Sequence, residues 1–217
     1  MTGEHLSPDV DWRDGTPVAT RFDDPYYSLQ DGAAETRHTF LGGNDLPARL
    51  RAGFHVGELG FGTGLNALVT AAAWSGPGRL HYTSFEAYPL ARADMARALA
   101  AFPELDAEPL LARWPAMRIA LPTVDLEIVP GDVRDTLPCW DGRADAWYLD
   151  GFAPARNPAM WDPALLGQVA RHTAPGGTFA TYTAAGHVRR ALEAAGFEVH
   201  RVPGHGRKRH MTRGVLR

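Results

Sequence analysis

Three acidic residues in this sequence stand at or just after the ends of predicted buried strands: Glu58, Glu86 and Asp132. Because the carboxyl ends of parallel strands meet at one edge of a sheet, where open α/β sheets bind ligands, we expect these side chains to line one crevice. Carboxylates accept hydrogen bonds from ammonium, hydroxyl and amino groups. Each acid alone is more often a solvated loop residue, but the coincidence of three predicts a ligand site.

A glycine-rich turn follows the first of these strands, with Gly60, Gly62 and Gly64 at alternate positions before a predicted helix. Glycines let the backbone turn sharply and approach a ligand closely. A dinucleotide fingerprint would need glycine where Leu65 stands, and no Gly-Lys-Ser/Thr follows as in a phosphate-binding P-loop. The acid two residues before the first glycine, Glu58, is instead typical of S-adenosylmethionine-dependent methyltransferases, whose cofactor carries a methionyl zwitterion.

The sequence Asp150-Gly151-Phe152-Ala153-Pro154 follows the fourth predicted strand. Amine-directed methyltransferases carry an acid or amide at this place, with a proline and an aromatic residue close behind. We therefore predict that Asp150 is catalytic and holds the attacking amine by a hydrogen bond, while Phe152 packs on the substrate. Because the methyl donor is an activated sulfonium, alignment matters more than a strong base. The alternative for Asp150 is a turn-forming residue before Gly151.

The predicted cofactor is S-adenosylmethionine, which leaves as S-adenosylhomocysteine. Glu86 is expected to accept both ribose hydroxyls, and Asp132 the adenine amino group. The complete predicted cofactor set is Glu58, Gly60, Gly62, Gly64, Asn66, Glu86, Asp132 and Asp150.

Strands and helices alternate along most of the chain. The patterning predicts strands at 54–59, 80–86, 124–129, 144–149, 177–182, 197–202 and 209–216, and helices at 65–74, 90–102, from Asp162-Pro163 onward, and at 187–195. This order predicts an α/β fold of the Rossmann-like class I methyltransferase type. We expect a seven-stranded, mostly parallel sheet that ends in a C-terminal antiparallel hairpin.

Residues 1–50 differ from this alternating pattern. A strand, an Asp14-Gly15 turn and a returning strand are predicted there. We interpret 1–50 as a small N-terminal extension packed on a catalytic domain at 51–217.

The composition is that of an ordinary globular protein of 217 residues, with 45% hydrophobic and 22% charged residues and a net charge of −3. One cysteine, Cys139, fits a reducing compartment, and neither a signal peptide nor a membrane span is predicted. Six lysine and arginine residues and no acid lie from Arg201 onward, so the first 200 residues carry −9. This basic end is either a phosphate-binding patch or a solvated strand.

Eight segments together resemble one family, the MnmD type, which is the methyltransferase half of the bifunctional MnmC tRNA-modification enzymes. The resemblance runs from about residue 10 to 211, and its segments are 23–28, 35–37, 40–44, 60–66, 85–86, 147–154, 157–161 and 206–209. It implies a cytoplasmic enzyme that methylates the primary amine of 5-aminomethyl-(2-thio)uridine at the tRNA wobble position. The product would be 5-methylaminomethyl-(2-thio)uridine.

The resemblance also implies substrate contacts. Tyr27 would form a wall of the uridine pocket, although an ordinary packed aromatic residue is nearly as good an interpretation. Arg207, Lys208 and Arg209 would contact phosphates of the anticodon stem. No metal, no FAD oxidase activity and no obligate protein partner are expected. The alternatives are an N-methyltransferase for another nucleobase or a small-molecule amine, and a tRNA-binding accessory protein without activity.

Overall fold

The computed structural model describes residues 8–28 and 31–217; the first seven residues of the predicted extension lie outside this range. Its strands are β1 Val10–Arg13, β2 Thr16–Ala19, β3 Asp24–Pro25, β4 His55–Leu59, β5 Leu80–Glu86, β6 Arg118–Ala120, β7 Val124–Pro130, β8 Ala144–Leu149, β9 Thr173–Thr181, β10 Phe197–Pro203 and β11 His210–Leu216. Its α-helices are α1 Gly32–Thr36, α2 Leu46–Arg49, α3 Leu65–Ala73, α4 Arg92–Leu99, α5 Glu108–Leu111, α6 Val133–Thr136, α7 Pro163–Arg171 and α8 Gly186–Ala194. A π-helical turn spans Arg37–Gly42, and 3-10 turns span Leu137–Cys139 and Pro158–Trp161.

The main sheet has the strand order β10-β11-β9-β8-β4-β5-β7-β6. Pairing is parallel from β9 through β7, whereas β11 pairs antiparallel with both β9 and β10. The predicted α/β class, parallel centre and C-terminal hairpin are therefore confirmed. The chain leaves β4 toward β5 on one side and returns to β8 on the other, so a topological switch point lies between β4 and β8.

The predicted strand number of seven is wrong, because the sheet has eight strands. The additional strand, β6, pairs antiparallel with β7 at the sheet edge. It is three residues long, and only its central Ile119 is buried. One buried residue between two exposed ones gives too little alternation for a sequence pattern to reveal a strand.

The central strands are buried on both faces. Along β8, Ala146 and Tyr148 belong to one core cluster with residues of α3 and α4, while Trp147 and Leu149 belong to a second cluster with residues of α7 and α8. This arrangement explains the nearly continuous apolar sequence of the strand, since parallel strands are covered on both sides. The sheet is thus a rigid platform for the residues at its strand ends.

The N-terminal extension packs against the same core. The predicted strand, turn and strand are present as β1 and β2, and both Asp14 and Gly15 have the positive φ of a tight hairpin turn. Phe40, Leu41 and Leu46 join the core cluster on one face of the main sheet. The division at residue 50 stays a prediction.

Within the described ranges, no helix has the length and apolar character needed to cross a membrane.

Candidate functional site

A cavity of about 1040 Å³ lies at the carboxyl ends of the central strands, with residues of the N-terminal extension on its other side. Its lining residues from strand ends and the turns after them include Gly60, Gly62, Glu86, Asp132 and Asp150. The cavity lies at the switch point between β4 and β8, which is where open α/β sheets bind ligands. The structure therefore brings together most of the residues that sequence spacing singled out.

The glycine-rich turn keeps its backbone open to the cavity. Gly60 and Gly62 line the cavity with φ values of +91° and +54°, a region that favours glycine. A Cβ atom added at Gly60 would lie 3.0 Å from the carbonyl oxygen of Asp150. Gly64 (φ +80°) does not line the cavity; a Cβ there would meet Leu110 at 2.8 Å. Gly60 and Gly62 thus leave the backbone open to the cavity, and Gly64 permits the turn into α3.

Glu86 is held by the glycine-rich turn itself. One carboxylate oxygen accepts a hydrogen bond from the Gly62 amide at 2.9 Å and the other from the Tyr88 amide at 2.7 Å. Burial raises the pKa of Glu86, and these backbone donors oppose the rise. A carboxylate oxygen has more than one lone pair, so this fixed group can still accept from two hydroxyls. The position and chemistry suit a ribose diol.

Asp132 lines the cavity, but both oxygens of its carboxylate accept hydrogen bonds from Arg134. It accepts from the Arg134 backbone amide at 2.9 Å and from the guanidinium at 2.5 Å, and it caps the short helix α6. The hydrogen bonds from Arg134 lower the pKa of Asp132. Its predicted contact with an adenine amino group stays a prediction, and it would use the lone pairs that Arg134 leaves.

Asn66 joins two carboxylates. Its amide nitrogen donates to Glu58 at 2.8 Å and to Asp150 at 2.6 Å, and its oxygen accepts from the Thr36 hydroxyl at 2.7 Å. Asn66 is buried, yet one side of it lines the cavity. The sequence placed Asn66 among the cofactor residues. The structure shows that its amide already positions the acid at the end of β8.

Glu58 is fully buried and, among the described residues, is not part of the cavity wall. Its carboxylate accepts from Asn66 and, at 2.7 Å, from the Ser84 hydroxyl. Burial raises its pKa to about 8. Its contact with a methionyl group stays a prediction. The geometry shows a second role, because the Glu58 carboxylate accepts from Asn66 on the side away from the cavity and so holds it in place.

Asp150 is half-buried at the end of β8 and faces the cavity. Burial raises its pKa to about 7, while the hydrogen bond from Asn66 and the charge of Lys208 pull the pKa down. Glu35 and Asp24 push it up. A carboxylate that titrates near neutral pH can both accept a proton from an ammonium group and hold the neutral amine by a hydrogen bond.

Aromatic rings form the wall beside Asp150. Phe152 stacks on Phe22 with ring centroids 4.7 Å apart and meets Tyr26 edge-on at 5.4 Å, and all three line the cavity. Tyr27 also lines it, with its hydroxyl donating to the Ala98 carbonyl at 3.2 Å. Sequence reasoning missed Phe22 and Tyr26. Their aromatic type and closeness to Tyr27 were the available signal.

The three basic residues predicted as one phosphate patch do not face the same way. All three are exposed, but Arg207 and Lys208 line the cavity and Arg209 does not. The Lys208 ammonium lies 2.5 Å from a carboxylate oxygen of Glu35 and 4.1 Å from the Tyr182 ring centroid. Sequence reasoning gave Glu35 no role, since 173 residues separate it from its partner.

The described part of the chain contains no group of three or more histidine, cysteine or acidic side chains placed to hold a metal.

Comparisons with known proteins agree with this geometry. Residues 104–217 match the profile of a family described as S-adenosyl-L-methionine-dependent methyltransferase. The tRNA 5-methylaminomethyl-2-thiouridine biosynthesis bifunctional protein MnmC of Stutzerimonas stutzeri (strain A1501) is 47% identical over 230 residues, which cover 96% of this chain and 34% of that protein. The protein of the same name from Caulobacter sp. (strain K31) is 49% identical over 238 residues, covering 99% and 39%.

A solved structure shares the whole fold. The crystal structure of MNMC2 from Aquifex aeolicus superimposes with a TM-score of 0.77 at 26% identity, covering 99% of this chain and 72% of that one. This chain thus spans 34 to 39% of the length of the two curated relatives described above.

Proposed function

This chain belongs to the S-adenosyl-L-methionine-dependent methyltransferase family, and we propose that it methylates a primary amine on the wobble uridine of tRNA. The acceptor would be 5-aminomethyl-(2-thio)uridine and the product 5-methylaminomethyl-(2-thio)uridine. One observation carries the proposal: the Asp150 carboxylate faces the cavity between the glycine-rich turn and the aromatic wall, where burial raises its pKa to about 7. The similarity to proteins named for 5-methylaminomethyl-2-thiouridine biosynthesis supports the choice of acceptor.

The residues of the cavity fit S-adenosylmethionine. Gly60 and Gly62 allow the cofactor close to the backbone, where a Cβ atom would crowd Asp150 or Tyr26. Glu86 is fixed for a diol, and Asp132 lies at the end of the next strand. The cofactor supplies a methyl group already activated by a sulfonium, so the protein has to align the acceptor with it.

Asp150 prepares the amine for attack. An alkylamine has a free pKa of about 10, like that of lysine, and only its neutral form has a lone pair. The ammonium transfers its proton to the Asp150 carboxylate or to water. The neutral amine held at Asp150 would then face the methyl group that bound S-adenosylmethionine would supply, with S-adenosylhomocysteine as the leaving group. Asn66 keeps Asp150 in place during this step through its 2.6 Å hydrogen bond.

The aromatic wall suits a base that has left the anticodon stack. Enzymes that modify a base take it into a pocket where aromatic side chains stack on it. Phe152, Phe22 and Tyr26 offer such faces next to Asp150, with Tyr27 farther along the wall. Arg207, at the cavity wall, and Arg209, outside it, would contact backbone phosphates. A tRNA acceptor also places the protein in the cytoplasm.

The direct test is mass spectrometry of wobble nucleosides. tRNA carrying the aminomethyl group is incubated with the protein and isotope-labelled S-adenosylmethionine, in parallel with tRNA that lacks this group. We expect one labelled methyl group on the wobble nucleoside of the first tRNA and none on the second. Equal labelling of both would refute the proposed acceptor and favour another nucleobase. Labelling of a free aminomethyl nucleoside as fast as of tRNA would favour a small-molecule amine.

A further inference from the structure

We propose that Glu35 and Lys208 form a positioning pair that spans the cavity mouth and sets the charge on Asp150. What that charge does in turnover rests on the proposed function; the pairing itself does not. Lys208 was expected to contact phosphate, and the structure places it at the cavity mouth, paired with Glu35 although its side chain is 42% exposed. It is also the only lysine in the sequence.

The pair connects the two ends of the chain. Glu35 belongs to α1 in the N-terminal extension, and Lys208 lies in the turn between β10 and β11. Only 11% of the Glu35 side chain is exposed, and the Lys208 ammonium lies 2.5 Å from its carboxylate. A carboxylate this buried needs a partner for its charge. Lys208 provides it, and both side chains line the cavity together with Asp150.

A second contact leads from Lys208 to the catalytic loop. Its ammonium lies 4.1 Å from the ring centroid of Tyr182, within the range of a cation–π interaction. The Tyr182 hydroxyl donates to the carbonyl of Gly151 at 2.8 Å, and Gly151 directly follows Asp150. A compact ammonium fits between a carboxylate and a ring face, whereas the planar fork of arginine has a different shape. Lys208 therefore joins α1 to the loop that carries Asp150.

The pair acts on Asp150 with opposite signs. Lys208 lowers the pKa of Asp150 and Glu35 raises it. The other titratable groups coupled to Asp150 are Asp24, the buried Glu58, the buried Tyr82 and Tyr182. Because the two charges of the pair oppose each other, loss of one should shift the titration of Asp150 and loss of both should restore it.

The experiment is an NMR titration of aspartate carboxyl carbons in the full-length protein without tRNA, with the Asp150 signal assigned by Asp150→Asn. The proteins are wild type, Lys208→Met, Glu35→Gln, the double variant and Lys208→Arg. We expect the midpoint of Asp150 to move to higher pH in Lys208→Met and to lower pH in Glu35→Gln. The double variant should return close to wild type, and Lys208→Arg should stay closer to wild type than Lys208→Met.

Shifts of both single variants in the same direction, or no shift in either, would overturn the proposal. If one single variant fails to fold, the other decides by the direction of its shift: Lys208→Met must titrate at higher pH, or Glu35→Gln at lower pH, than both wild type and the double variant. The titration needs no acceptor, so it separates the two proposals. Wild-type titration in every variant, with normal wobble methylation by wild type, refutes the pair alone. Opposite shifts without wobble methylation refute the proposed function alone.

Discussion

Asp150 differs from the other acids of the cavity in the donors that reach its carboxylate. Glu86 accepts from two backbone amides and Asp132 from a guanidinium. Asp150 accepts from the neutral amide of Asn66. With only one neutral donor among the described residues, burial dominates and raises the pKa of Asp150 to about 7. Asp150 is therefore the cavity acid best placed to exchange a proton with an amine at neutral pH.

Replacement of Asp150 by asparagine should separate binding from turnover. The amide keeps the size of the side chain but cannot accept a proton, so we expect turnover to fall by about 100-fold or more. Cofactor affinity should change little, because Glu86 and the glycine-rich turn remain. Calorimetry with S-adenosylmethionine and labelled methyl transfer to tRNA measure the two effects. Asp141→Asn, at an exposed aspartate outside the cavity wall, is the matched control. Equal loss in both variants would contradict the assignment.

We expect Glu58 to make the stability of the protein depend on pH. Its pKa rises from 4.5 to about 8 on folding, because burial penalises the charged form. The folded state therefore binds more protons than the unfolded state between these values. The contribution of Glu58 to stability is greatest below pH 4.5. It declines between pH 4.5 and about 8, by up to about 1.4 kcal/mol per pH unit.

Glu58→Gln should reduce that decline, since glutamine does not titrate and still offers an oxygen to Asn66. Urea unfolding between pH 5 and about pH 8.5 measures the free energy of unfolding for both proteins. We expect a shallower loss for the variant, so that its stability relative to wild type improves as the pH rises. A parallel decline in the two proteins would mean that Glu58 does not carry this dependence. Glu127→Gln, at a half-exposed glutamate, is the control.

Residue types at strand ends predicted much of the site, and pairings between distant segments could not be predicted. Gly60, Glu86, Asp132 and Asp150 line the cavity because strand ends converge in any parallel sheet. The hydrogen bond from Asn66 to Asp150 depends on how α3 packs beside β8. The position of the Lys208 ammonium at the cavity mouth depends on its ion pair with Glu35, which lies in another element. No local pattern encodes such contacts.

At the scale of elements, long buried strands were the most predictable features. The predicted ranges 80–86 and 144–149 coincide with β5 and β8, because a continuous apolar run bounded by polar residues is distinctive. The predicted helix 90–102 is shorter in the structure, where α4 ends at Leu99 and a turn leads to Pro103. The π-helical turn Arg37–Gly42 has no sequence signal of this kind, and it forms where the extension packs on the sheet.

One hydrogen bond connects the extension to the loop that follows Asp150. Asp24, in β3, accepts from the Ala153 amide at 2.7 Å. Asp24→Ala would leave that amide without its acceptor, so we expect a loss of about 1 to 2 kcal/mol in the free energy of unfolding. Asp24→Asn retains an acceptor oxygen and should lose much less. Amide hydrogen exchange at Ala153 should be faster in Asp24→Ala than in Asp24→Asn. Equal exchange in both would show that another contact holds the loop.

At the scale of the whole molecule, three parts of the chain converge on one cavity. The sheet supplies the acids and the glycine-rich turn, the extension supplies Phe22, Tyr26 and Glu35, and the C-terminal hairpin supplies Lys208. The same hairpin turn presents exposed arginines in a protein whose net charge is −3. A negatively charged body with a basic turn at the cavity mouth would orient a polyanion toward the site rather than bind it over the whole surface.

This distribution of charge predicts how tRNA binding responds to salt. Each phosphate contact releases counterions, which contributes about 0.7 to 0.9 to the slope of log affinity against log salt. Arg207→Ala/Arg209→Ala should weaken binding at low salt and reduce the magnitude of the slope by up to twice that amount. Lys208→Met should leave the slope close to that of wild type, because its ammonium is paired with Glu35. Arg143→Ala, at an exposed arginine before β8 and thus at the opposite end of that strand from Asp150, is the matched control. Fluorescence anisotropy with labelled tRNA over a salt series measures wild type and the three variants. An unchanged slope in the double variant would mean that Arg207 and Arg209 face solvent in the complex.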